Sequence, residues 1–159
     1  MKPGLRSLFL LPLLAACGTV RHWRELQTEP MTLGACYDGF VAVVTARDGF
    51  RADASATDRG MGTWQSTWKK RQMERHFPMR SRLRAEILVD DGSAETGCTS
   101  RYMSEQEKVK YLRPRADPRE EDWSADGQDE EAEAILGERL VRRLAPKSVR
   151  LGKPQQPAR

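Results

Sequence analysis

One ten-residue stretch restricts the fold more than any other part of the chain. Residues 80–89 read Arg-Ser-Arg-Leu-Arg-Ala-Glu-Ile-Leu-Val. In an extended chain, Leu83, Ala85, Ile87 and Val89 fall on one face and Arg80, Arg82, Arg84 and Glu86 on the other. A period of two with one apolar and one charged face belongs to an antiparallel strand covered on one side only. Asp90-Asp91-Gly92-Ser93 follows as a strong turn signal, so a hairpin partner is expected in Thr96–Leu112. Met103, Val109 and Tyr111 share a strand face there, although Ser104–Lys108 would also suit a helix. The preceding turn decides for a strand, which Pro114 and Pro118 end.

The elements needed to cover that hairpin are sought on either side of it. Ala35–Ala46 is rich in β-branched and aromatic residues, and Phe40–Val44 is continuously apolar, which predicts a strand central in the sheet. Arg47-Asp48-Gly49 gives a turn, and residues 51–62 a polar loop. Within it Gly60-Met61-Gly62 lacks the third glycine of a dinucleotide fingerprint. Alternation through Trp64, Ser66, Trp68 and Lys70 predicts another strand with both tryptophans on one face, more readily core than a stacking platform. Glu120–Asp126 reads as an acidic loop around Trp123. Asp129–Leu144 is the clear helix, with Ala132, Ile135, Leu136, Leu140 and Leu144 as its stripe and Asp126 or Asp129 as N-cap. Acidic residues crowd its start, arginines its end, and Pro146 stops it. The expected fold is α+β: a small antiparallel sheet of about four strands with one C-terminal helix packed across it.

The N-terminus carries an address. Lys2 and Arg6 precede an apolar run, Leu8–Leu14, and the segment closes on Leu14-Ala15-Ala16-Cys17. This resembles the signal peptide of a bacterial lipoprotein. The resemblance implies cleavage before Cys17, diacylation of its thiol and usually acylation of the new amino group, giving a membrane anchor. From Gly18 in place of an aspartate the resemblance also favours the outer membrane over the inner one, and the expected location is an outer-membrane lipoprotein facing the periplasm, with the inner membrane and the cell surface as the alternatives. The competing reading is an ordinary secretory signal that leaves Cys17 a plain thiol. The run is too short to span a bilayer, which takes roughly 20 apolar residues. The domain plan that follows is a signal peptide at 1–16, a lipidated tether at 17–34 containing His22 and Trp23, one α+β domain at 35–145 and a disordered basic tail at 146–159. With Lys2 and Arg6 removed, 25 basic residues face 23 acidic ones, too even a balance for a nucleic-acid binder.

Motifs for catalysis are missing from the sequence: no Gly-x-Ser-x-Gly, no His-Glu-x-x-His, no phosphate loop. Of the two histidines, His22 falls in the tether, and His76 has no partner that the sequence identifies. No cofactor and no metal site is expected, because Cys36 and Cys98 lack ligand spacing and Glu120-Glu121-Asp122 lacks that of a calcium loop. Export would permit a disulfide between Cys36 and Cys98, against which stands the reading of two buried thiols. Arg80, Arg82 and Arg84 would emerge about 7 Å apart. They form a candidate docking row for an envelope protein or an anionic envelope polymer, unless they pair with Glu105 and Glu107 across the hairpin or simply stay solvated. The expected function is a non-enzymatic, lipid-anchored envelope component. The alternative is a ligand carrier or enzyme with a scattered site and the tryptophans as stacking surface.

Overall fold

Residues 22–46, 49–74, 77–89, 97–110 and 118–147 are described by a computed structural model of the chain. They form, in order, β1 (Arg24–Gln27), α1 (Leu33–Thr45), β2 (Thr63–Gln65), β3 (Lys69–Glu74), β4 (Phe77–Val89), β5 (Cys98–Val109), β6 (Trp123–Gln128) and α2 (Glu130–Leu144), with a 3-10 turn at Glu120–Asp122. The architecture is α+β, an antiparallel sheet with two helices, the second C-terminal and packed against it. Cys17, the remainder of 1–21, His76, the Asp90–Ser93 turn and residues 148–159 of the tail lie outside the described residues.

The sheet has six strands rather than four, yet it is only four positions wide. β4 and β5 pair continuously from Met79 and Lys108 to Val89 and Cys98. Along the free edge of β5, β1 occupies Thr99–Tyr102 and β6 occupies Glu105–Val109, end to end. Along the free edge of β4, β2 occupies Arg84–Glu86 and β3 occupies Phe77–Ser81 with a shift in register. A long central hairpin is thus flanked by two broken outer strands. Two segments assigned to irregular chain therefore join the sheet: residues 24–27 of the tether are β1, and the acidic loop ends in β6. Both are too short and too polar to show a period, because an edge position of four to six residues is fixed by its partner's register rather than by its own pattern.

Ala35–Ala46 is not a strand but most of α1. An apolar run of this length fits a buried strand and a buried helix equally, and the deciding signal lies just upstream. Thr32 is the N-cap, its hydroxyl accepting from the Ala35 N–H at 3.3 Å. Cys36, Phe40 and Val44, four residues apart, face inward with Tyr37, while Asp38, Ala42 and Thr45 face water. Phe40 is fully buried, its ring edge-on to Trp64 at 6.3 Å and tilted against Tyr102 at 6.4 Å. Leu83, Ala85 and Ile87 of β4 and Leu136, Leu140 and Leu144 of α2 complete this core. α1 approaches α2 closely at Gly39, where a Cβ would sit 2.7 Å from Leu144 Cδ2. Ile135, assigned to the stripe of α2, is instead half exposed.

The two tryptophans of residues 64–68 part company. Trp64 lies opposite Ala85 and is buried in the core. From Gln65 to Lys69 the outer chain advances four residues while its partner, from Arg84 to Ser81, advances three. One extra residue exchanges the two faces, so Trp68 emerges on the side away from the helices, against Arg80 and Arg82.

Cys36 and Cys98 carry no disulfide. With residue 36 on a helix rather than a neighbouring strand, its Sγ meets Ser100 Oγ at 3.6 Å while Cys98 Sγ points to the Met31 carbonyl at 3.9 Å. Both thiols are buried.

Candidate functional site

Directly opposed residues of an antiparallel pair point to the same side. Hence Arg80, Arg82 and Arg84 share the helix-free face with their partners Glu107, Glu105 and Met103. The three arginines have different surroundings. Arg80 is buried: its Nε donates to Glu107 at 2.8 Å, and its two terminal amino groups form a fork on Glu120 at 2.8 and 2.7 Å. Its guanidinium also lies 4.5 Å from the ring centroids of both Trp68 and Trp123. Arg82 lies 4.5 Å from Trp68 and donates from Nε to Glu105 at 2.6 Å. Arg84, more exposed, reaches the other Glu105 oxygen at 3.5 Å. The result is a ladder, Trp123–Arg80–Trp68–Arg82, in which cations alternate with aromatic faces.

The pairing of the row with Glu105 and Glu107 is therefore present. Burial pulls the Arg80 proton affinity down, but the hydrogen bonds it donates to Glu120 and Glu107 outweigh it and hold the guanidinium above its ordinary value. Reciprocally, the Arg80 hydrogen bond keeps the Glu120 carboxyl below the usual glutamate range. Arg80 is a structural pin, whereas Arg82 and Arg84 retain exposure.

Beside the ladder is a pocket of about 260 Å³. Trp68, Arg82, Glu105 and Glu107 form one side, and His22, Gly127, Gln128 and Glu130 approach from the other. It opens where β6 bulges: Gln128 pairs with Glu105 and Ala125 with Glu107, which leaves an extra residue in β6. Gly127 accommodates the irregularity at φ +90°. Its neighbour Gln128 fastens the start of the described chain. The Gln128 amide accepts from the His22 N–H at 2.7 Å and donates to the His22 carbonyl at 2.8 Å, acting as a strand would.

Sequence reasoning missed the residue that joins these parts. Glu133 is 2% exposed. It accepts from Arg24 Nε at 2.8 Å, from the Ser104 N–H at 2.7 Å and from Gln128 Nε2 at 3.0 Å. Ser104 occupies the gap between β1 and β6, and its carbonyl accepts from the Asp129 N–H at 3.1 Å. The first turn of α2 thus satisfies backbone groups that neither outer strand reaches. The available signal was position: Glu133 falls three residues before Leu136 and seven before Leu140, on the apolar stripe.

Among the described residues no cluster of three or more histidine, cysteine or acidic side chains is arranged to hold a metal ion. No described helix is long and apolar enough to cross a membrane. Compared with family models, curated proteins and solved structures, the chain matches none.

Proposed function

We propose that this chain is a lipid-anchored component of the bacterial cell envelope that acts by docking, held close to the membrane surface. The observation that carries the reading is the separation between Cys17, the residue of the lipobox-like Leu14-Ala15-Ala16-Cys17, and His22, whose backbone Gln128 grips from both sides. Five peptide steps span at most about 18 Å when fully extended. An acylated Cys17 would keep the β1 and β6 edge within that distance of the headgroups, so the tether is far shorter than residues 17–34. Two or three acyl chains give stable anchoring where one is marginal. The self-neutralised ladder supports a rigid presenting surface, since its buried cation, Arg80, already has its counter-charges in Glu107 and Glu120. The pocket beside Arg82 favours a ligand-carrying role as a second reading.

Cell fractionation tests the anchor. Wild-type protein is expected in the membrane pellet and Cys17→Ala in the soluble fraction. A Cys17→Ala protein that still pellets overturns the reading.

A further inference from the structure

We propose that the pocket beside the arginine–tryptophan ladder binds a small zwitterion, a molecule carrying one carboxylate and one ammonium group and the size of an amino acid or dipeptide. The inference does not depend on the lipid anchor.

Arg82 supplies the first half of the argument. Its Nε is committed to Glu105, but Nη1 and Nη2 have no protein acceptor among the described residues. Its guanidinium lies 4.5 Å from the Trp68 ring centroid and lines the pocket, and with Nε held by Glu105 it has little rotamer entropy left to lose. A planar pair of parallel N–H donors is matched by a carboxylate, which it binds with two charge-assisted hydrogen bonds.

The other half is charge. Of the three glutamates that line the pocket, Glu105 is paired with Arg82 and Arg84 and Glu107 with Arg80, which leaves the Glu130 carboxylate as a negative charge that a bare anion would meet. Glu107 gives Oε2 to Arg80, while its second oxygen and the exposed Glu130 carboxylate have no partner among the described residues. Those two acceptors suit an ammonium group. A ligand with both charges satisfies the fork and the acceptors together, and a volume of about 260 Å³ lies just below the usual range for drug-sized ligands.

The test is isothermal titration of the full chain in detergent with L-alanine, with the dipeptide L-alanyl-L-alanine, and with acetate and ethylamine as half-ligands at matched ionic strength. Saturable binding by L-alanine or by the dipeptide, with both half-ligands at least tenfold weaker, is expected; which of the two binds tells a free amino acid from a peptide end. Arg82→Gln should weaken binding at least tenfold. Because that change strips a counter-charge from buried Glu105, the parallel variant is Glu130→Gln, whose exposed carboxylate holds no other element in place; it should weaken binding severalfold. The proposal is overturned if neither zwitterion saturates by about 50 mM, a binding energy of only roughly 2 kcal/mol. It is equally overturned if a half-ligand binds as well, or if Glu130→Gln binds like wild type.

Discussion

The Ser104 backbone N–H donates to Glu133 Oε1 at 2.7 Å, at the point where the edge of β5 passes from β1 to β6. A carboxylate carried by a helix does here what a continuous outer strand would do with its carbonyls. The same carboxylate holds Arg24 of β1 and Gln128 of β6, so one side chain splices two short strands into a single sheet edge.

Removing that side chain should be costly. Glu133→Ala leaves the buried Ser104 N–H without its acceptor and takes the ion-pair partner from the half-buried Arg24 guanidinium, and a loss of about 3 kcal/mol is expected. Glu133→Gln keeps an acceptor for Ser104 but loses the ion pair, for about 1 to 2 kcal/mol. Urea unfolding of the three proteins measures both. Equal midpoints for wild type and Glu133→Ala would contradict the splice.

The arginine row should divide under mutation. Arg80→Gln empties the fork on Glu120, the bond to Glu107 and the space between two indole rings, and should destabilise by about 3 kcal/mol. Arg84→Gln loses one long contact from a side chain 40% exposed and should stay within about 0.5 kcal/mol of wild type. Thermal melts of the two single variants check this. Similar shifts in both would mean that the row behaves as one surface.

The parts of the fold that the sequence displayed are those whose own pattern is long enough to repeat. β4 alternates over several pairs of residues, and α2 has a cap at Asp129, a stripe and a charge gradient. β1 and β6 have four and six residues, and their places come from β5. The pocket and its ladder were hidden for a related reason. They depend on the extra residue between Gln65 and Lys69, which sends Trp68 to the charged face, and on the bulge at Gly127. Neither irregularity has a pattern of its own, because each exists only relative to a partner strand. Arg80, Arg82 and Arg84 were visible as a row, but not that Trp123, forty-three positions after Arg80, would cover the first of them.

The helical state of 33–45 has a direct test in its cap. Thr32→Ala removes the hydroxyl that accepts from Ala35 N–H and should cost about 1 kcal/mol, whereas Thr32→Asn or Thr32→Ser should restore most of it. A strand in this segment would give no such ranking. Chemical denaturation of the four proteins is sufficient, and an inverted order would argue against the cap.

Tyr102 should make the fold sensitive to alkali. Its ring lies in the core, its hydroxyl donates to the Glu133 carbonyl at 3.4 Å and Gly137 leaves room for it. Burial, the largest influence, pushes the phenol up to about 12, because charging it there would forfeit hydration. The unfolded chain ionises this group near pH 10 and the folded chain only near 12. Below pH 10 the contribution is therefore complete; between 10 and 12 the unfolded state loses its proton first, and stability falls as pH rises. The gap corresponds to roughly 2 to 3 kcal/mol once both values are passed. Tyr102→Phe has no proton to lose, so its urea midpoint should fall less steeply than that of wild type above pH 10. Phenolate absorbance near 295 nm, followed in parallel, should show the variant lacking a phenol that titrates at about 12. Identical pH slopes for the two proteins, or loss of an ordinary early-titrating phenol instead, would place Tyr102 in contact with water and contradict its position in the core.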